Sequence, residues 1–314
     1  MRFLIALNIL ILVPQLLNAQ DSRPGFPMLE NAPTPSGLAI NEASVSIPHG
    51  SGSIFINPAL LVFSNSSTLD FGYSSWMEES NFIFGGANFI NGKRVFSIGI
   101  YNSKIDGIEQ RNNPGEPNGE FSVSYLSLSG AFAYDFEFLS LGVAAQYLNE
   151  ENFQYQASGY AFNFGASSQF FDTKLKTGIS ILNIGKLDNL NSQATKLPEL
   201  LRAGFSLDII EFAPPKNNDL PVLVSISSDL VNPLNKYESS QIGETDNDPY
   251  FNLGLRLNVA EVIELSGGYK TGDTAKPISF GVGVRTEQFN VDYALVPYET
   301  GFGTLHSIGL QYKF

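Results

Sequence analysis

Apolar and polar residues alternate with a period of two along most of this chain. Ile308, Leu310, Tyr312 and Phe314 interleave with Ser307, Gly309, Gln311 and Lys313. Phe251, Leu253, Leu255, Leu257 and Val259 do the same with Asn252, Gly254, Arg256 and Asn258. Leu139, Leu141 and Val143 alternate with Ser140, Gly142 and Ala144. Successive side chains of a strand point to opposite faces, so this rhythm is that of strands with one apolar and one polar side. It predicts strands near 67–76, 81–90, 94–105, 120–134, 139–155, 158–171 and 174–184. A second set follows near 199–209, 220–230, 249–259, 262–271, 276–286, 288–298 and 304–314. Most are about ten residues long, which is what a tilted strand needs to cross a bilayer, and an even number closes an antiparallel barrel. In one place the phase slips: Phe121, Val123 and Tyr125 give way to Leu126 and Leu128, which predicts a bulge near Tyr125.

A soluble β-sandwich would alternate too, but the polar phase here is mostly Gly, Ser, Asn and Ala. Such small groups suit a crowded or watery lumen better than a solvated outer face. Trp76, Tyr101, Tyr134, Tyr155, Tyr250, Tyr298 and Tyr312 fall near strand ends, where a barrel carries its interfacial aromatic girdles. Asn91-Gly92 marks a tight hairpin, and Thr271-Gly272-Asp273 and Thr286-Glu287 also read as tight turns. Longer polar connections at 106–119, 185–198 and 231–248 are expected on the extracellular side, with the short turns facing the periplasm.

The rhythm is absent before residue 67. Met1-Arg2, the apolar run Phe3 to Leu17 and the small Ala19 form a secretory signal peptide with cleavage after Ala19. Residues 20–66 then run through a Pro-rich stretch to Gly37-Leu38-Ala39-Ile40-Asn41-Glu42-Ala43-Ser44-Val45-Ser46 and to Asn57-Pro58-Ala59. Asn before Pro favours a turn, and Pro58 can open a short helix at its first position. The expected organisation is a leader over 1–19, an N-terminal plug over 20–66 and a transmembrane antiparallel β-barrel of about fourteen strands over 67–314.

The Ala-x-Val and Asn57-Pro58-Ala59 pattern resembles the start of FadL-type barrels and of the smaller PorV/PorQ family associated with type IX secretion. Gly178-Ile179-Ser180-Ile181-Leu182-Asn183-Ile184-Gly185 and Leu197-Pro198-Glu199-Leu200 are similar to mid-barrel elements of the PorV/PorQ group. That resemblance implies an all-β outer-membrane protein that takes no cofactor and performs no catalysis. Its partners would be outer-membrane lipid and the proteins or cargo of a secretion apparatus, met at its loops. The FadL side of the resemblance implies instead a carrier of small hydrophobic molecules, with Asn57, Pro58 and Ala59 in the plug.

Composition narrows the chemistry. There are no cysteines, so disulfides and thiolate metal sites are excluded. The formal charge is −13, and losing Arg2 with the leader makes it more negative, which argues against nucleic acid as a partner. Charged residues make up 16%, below the roughly one quarter usual in soluble domains. The two histidines, His49 in a Pro-His-Gly turn and His306 at the head of the last strand, give no Ser–His hydrolase or transition-metal site. Glu244-Thr245-Asp246-Asn247-Asp248 lacks the spacing of an EF-hand. Arg202, Asp208, Arg256, Glu264, Lys270, Arg285 and Asp292 fall in or beside the polar phase, as candidates to line a pore or to pair inside the lumen.

Overall fold

The computed structural model describes residues 25–76, 80–111, 115–190, 196–212, 221–235, 248–299, 301 and 303–314. The leader lies outside them. The alternating segments form β1 (Thr68–Trp76), β2 (Ser80–Asn91), β3 (Arg94–Gln110), β4 (Gly119–Asp135), β5 (Ser140–Asn152), β6 (Tyr155–Phe170) and β7 (Leu175–Leu187). They continue as β8 (Leu200–Phe212), β9 (Val222–Pro233), β10 (Tyr250–Val259), β11 (Ile263–Lys270), β12 (Ile278–Arg285), β13 (Phe289–Pro297) and β14 (Thr304–Lys313). Each strand pairs antiparallel with its sequence neighbours, and β1 closes on β14 from Thr68↔Lys313 to Ser75↔His306. The result is a closed barrel of fourteen strands. Closure leaves no unpaired edge, which is what a sheet in lipid requires.

The two phases of the alternation occupy the two faces of the wall. Leu69, Phe71, Ile98, Ile100, Phe162, Leu255 and Ile308 point outward and are exposed, Ile98 by 58%. Ser97, Ser127, Asn163, Ser180, Ser206 and Asn252 point inward and are buried. An apolar surface running around the whole ring far exceeds the few hundred Å² tolerated on a soluble monomer. It is a surface made to face hydrocarbon.

The wall is uneven in height. β3 and β4 have 17 residues each, whereas β11 and β12 have 8. The extra length rises at the end opposite the chain's C-terminus. There the outward phase turns polar, at Lys104, Ser124, Glu151, Gln156 and Lys186, so β3–β7 stand above the apolar band as a wing. This wing explains why β3 and β4 exceed their expected limits: Asp106 to Gln110 lie outside the lipid-facing band and have no apolar alternation to announce them.

Several expectations are corrected. No bulge occurs at Tyr125, where the ladder from β4 to β5 is continuous from Val123↔Asn152 to Asp135↔Ser140. Val123 and Tyr125 instead stay in the inward phase, and it is the lumen that becomes apolar there. The nearest irregularity lies in β3, between Ile105 and Ile108. Tyr101, Tyr250, Trp76 and Tyr298 are not girdle residues; they face inward, with Tyr101 only 3% exposed and Trp76 stacked on Tyr298 at 4.5 Å. The turn at Thr271 lies at the same end as the long connections, because β11 runs in the same direction as β1.

Residues 25–66 run through the inside of the ring. They form three short 3-10 turns, Pro27–Glu30, Gly52–Phe55 and Pro58–Phe63, and one α-helical turn, α1 (Pro35–Leu38). Proline opens three of these four, and the side chains of Thr34 and Asn57 accept from the N–H groups of Gly37 and Ala59. The segment lies so close to the wall that side chains are excluded at several contacts. A Cβ on Gly142 would collide with the Pro58 backbone, one on Gly178 with the Val45 carbonyl and one on Gly268 with Ile40. Much of the glycine in the polar phase therefore serves close approach of backbone to backbone.

Candidate functional site

The interior falls into three levels. At mid-height, wall side chains hold the backbone of the N-terminal segment. On β9, Asp229 Oδ2 accepts the N–H groups of Ser44 and Val45, each at 2.8 Å. On β1, Asp70 Oδ2 accepts Ser51 N–H at 2.9 Å and the Ser51 hydroxyl at 2.7 Å. Asn163 donates to Ile54 O at 2.9 Å, Ser180 to Ile56 O at 2.7 Å and Ser279 to Ala39 O at 3.0 Å. Asn57 is the hub of the segment. Its amide donates to Val45 O at 2.8 Å and to Ala166 O on β6 at 3.2 Å, while its Oδ1 accepts Ala59 N–H at 3.1 Å. Pro58 presses on Gly142, and Ala59 is fully buried. The Asn57-Pro58-Ala59 element thus ties the segment to two strands and to itself.

The charges expected in the lumen divide into separate groups. Arg202 on β8 faces Glu42 of the N-terminal segment, with Nη2 3.5 Å from Oε2. Lys276 reaches the other oxygen of Glu42 at 3.7 Å. Burial disfavours the charged form of Glu42, but Lys276, Lys270 and Arg202 together hold its carboxyl below the usual range. Lys270 pairs with Asp273 at 3.4 Å and lies over the ring of Tyr250. Near the end carrying the C-terminus, Arg285 bridges Glu264 at 3.1 Å and Asp292 at 2.7 Å. Asp208 accepts the Ser225 hydroxyl at 2.6 Å, and Arg256 approaches Ser206 at 3.5 Å. Among these expected residues, pairing dominates, and the partner of Arg202 comes from outside the wall. Asp248 alone of the acidic run 244–248 belongs to the described residues.

Below the segment, toward the C-terminal end, lies a cavity of about 300 Å³ lined by His49, Asp70, Arg256, Arg285, Asp292 and Gln311 among others. His49 Nδ1 is 2.8 Å from the Ser36 hydroxyl. Burial, reinforced by Arg256 and Arg285, pushes the imidazole down to about 3, so it is neutral at ordinary pH.

Above the segment, inside the wing, the lumen changes character. Tyr125 of β4, Leu148 of β5, Ala157 and Ala161 of β6 and Leu187 of β7 build an apolar chamber. Phe26, Met28 and Leu29 fill it, with Phe26 edge-on to Tyr125 at 5.2 Å. Beside this chamber the wall is not continuous sheet. The ladder from β7 to β8 ends at Leu182↔Leu200, while β7 continues to Leu187. Between these points Asn183 adopts φ 62° at a register shift, and its amide donates to Pro198 O at 2.9 Å. Asn235 donates to Leu197 O at 2.8 Å. A connecting segment held by two asparagines thus stands where strand pairing would otherwise seal the barrel.

This architecture recurs in solved structures. The Pseudomonas putida toluene transporter TodX covers 88% of this chain with 98% of its own length, at 11% identity and a TM-score of 0.53. A TodX variant, described as a monoaromatic hydrocarbon channel, covers 90% with 98% of its length, at 10% identity and a TM-score of 0.60. The fold is the FadL-like barrel fold. No protein-family model and no curated protein sequence matches the chain. At these identities the TodX likeness establishes architecture alone, and it does not single out the PorV/PorQ branch of the sequence resemblance.

Glu42, Asp70 and Asp229 escaped the sequence reading, although they hold the interior together. Asp70 and Asp229 sit in the inward phase of β1 and β9, where the alternation could have exposed them alongside Arg202. Glu42 lies in a segment without rhythm, and its contacts with Arg202 and Lys276 identify it.

Proposed function

We propose that this chain is a non-enzymatic outer-membrane barrel that admits a small hydrophobic molecule from outside and passes it inward beside the N-terminal segment, which acts as a plug. The apolar chamber inside the wing carries this reading. Tyr125, Leu148 and Leu187 concentrate apolar surface at one place in a lumen where many inward positions are Ser, Asn or Gly. Grouped apolar side chains inside an otherwise polar barrel suit a lipophilic ligand. The interrupted wall between β7 and β8 lies beside the chamber and offers a lateral way out. The architecture shared with TodX, a toluene transporter, agrees with it.

The test is uptake of labelled toluene by intact cells whose own outer-membrane hydrocarbon channels have been removed. Expression of this chain should speed entry, and Leu148→Asp should abolish the gain without loss of folded barrel. Entry equal to that of cells without the chain would refute the proposal. A second reading, an accessory barrel for type IX secretion, is favoured by one observation: among the described residues the lumen is filled at mid-height, as suits a protein that works through its loops. It predicts that deleting the gene lowers the amount of secreted cargo at the cell surface.

A further inference from the structure

Among the described residues, the inner face of the apolar chamber carries one carboxyl group with no counter-ion. Glu150 lies in the inward phase of β5, directly opposite Tyr125 on β4 and Ala157 on β6. Both neighbours belong to the apolar cluster. Glu150 is 5% exposed, forms no ion pair among the described residues, and its Oε2 has no hydrogen-bond partner. The basic residues of the wing, Lys104 and Lys186, stand in the outward phase on the other side of the wall. A buried carboxyl without a partner is costly to keep, and two others in this barrel are given donors: Asp229 Oδ2 accepts two backbone N–H groups, and Asp70 Oδ2 accepts a backbone N–H and a hydroxyl. Glu150 has been given no such donors.

We propose that Glu150 is the recognition group of the chamber. In this proposal the chamber takes a small hydrophobic molecule that carries a hydrogen-bond donor, such as an alcohol, a phenol or an amine, and turns carboxylates away. The inference rests on the transport reading above and adds the polarity of the ligand. A donor on the ligand would supply what Oε2 lacks. A ligand carboxylate would instead set two like charges side by side in an apolar enclosure. Size follows from the present occupant: Phe26, whose side chain is a benzyl group, lies against Tyr125, the residue facing Glu150.

Benzylamine, benzyl alcohol and benzoate are therefore suitable probes, alike in ring and different in head group. Their binding would be measured by ligand-observed NMR on the full mature chain in amphipol, for the wild type, Phe26→Ala, and Phe26→Ala combined with Glu150→Gln. Phe26→Ala opens a benzyl-sized space and should tighten all three. In that background benzylamine and benzyl alcohol should bind at least about tenfold more tightly than benzoate. Glu150→Gln should cost benzylamine about tenfold and close most of the gap to benzoate. Binding of benzoate as tight as that of benzylamine, or an order unchanged by Glu150→Gln, would overturn the role of Glu150 while leaving the transport reading in place. If no probe binds even in Phe26→Ala, both fall together.

Discussion

The plug is held most directly at Asp229, and its removal is the sharpest test of how the interior is kept closed. One carboxylate oxygen receives two backbone N–H groups, from Ser44 and Val45, at 2.8 Å each. The residue is fully buried, so in Asp229→Ala both donors lose their acceptor with no solvent nearby to replace it. Leaving a buried donor unsatisfied costs about 1–3 kcal/mol, so the pair amounts to roughly 2–6 kcal/mol. Because Arg202 keeps Glu42 as its partner, the substitution does not also strand that cation. At about 1.4 kcal/mol per tenfold, the unseated population should rise by roughly 30-fold to 10⁴-fold. The outer face of β9 is untouched, so the barrel itself should fold and insert. In planar bilayers the wild type should be almost silent and Asp229→Ala should show frequent conducting events. Asp229→Asn keeps one uncharged acceptor oxygen in place of Oδ2, and should fall between them. If Asp229→Ala is as silent as the wild type, and remains so combined with Asp70→Ala, the wall carboxylates do not hold the segment.

Two further tests address packing and protonation. Gly178→Ala places a methyl group on the Val45 carbonyl and should destabilise the seated plug by about 1–3 kcal/mol, read as a lower midpoint of chemical unfolding; Gly130→Ala, where nothing lies within 4 Å, should leave the midpoint unchanged. For His49 the sign follows from linkage. The free imidazole takes up a proton near 6.5 and the buried one only near about 3, so the unseated state binds more protons between those values. The contribution of His49 to the stability of the seated plug should therefore fall as the pH drops from 6.5 to 5, read as a change in the difference between wild type and His49→Asn in thermal unfolding. A difference that is the same at both values would show that His49 is not sealed from solvent.

The strands were legible because lipid on one side and a small-residue lumen on the other force a strict alternation, and that alternation needs no partner to be read. It fails where one of its causes is missing. Asp106 to Gln110 stand above the lipid-facing band, so their outward positions are polar and the strand passes unnoticed. Val123 and Tyr125 face inward while their outward neighbours Ser122 and Ser124 are polar, so the apolar phase changes face between Tyr125 and Leu126 and the pattern imitates a bulge. The same logic misplaced Tyr101 and Tyr250: an aromatic residue near a strand end reads as a girdle unless the phase decides, and here the phase points inward. The partners of the charged residues in the polar phase were not legible, since Glu42 belongs to a segment whose contacts depend on where the chain re-enters its own barrel.

These departures point to the chamber. A barrel that served only to span the membrane and be blocked would need inward positions that are small and polar and that hold the segment, and at mid-height Asp229, Asp70, Asn163, Ser180 and Ser279 do this. One turn of the wall higher, the requirement is broken three times at one place. Apolar side chains replace small polar ones, a carboxyl is left without a partner, and the ladder from β7 to β8 stops short of the strand's end. The apolar side chains pack against Phe26, Met28 and Leu29, whereas the unpaired carboxyl has a cost and no structural return. Together they make a largely apolar enclosure that carries an unpaired carboxyl and adjoins the place where the ladder from β7 to β8 stops. That combination is hard to explain without a ligand, and Phe26, Met28 and Leu29 fill the space it would occupy.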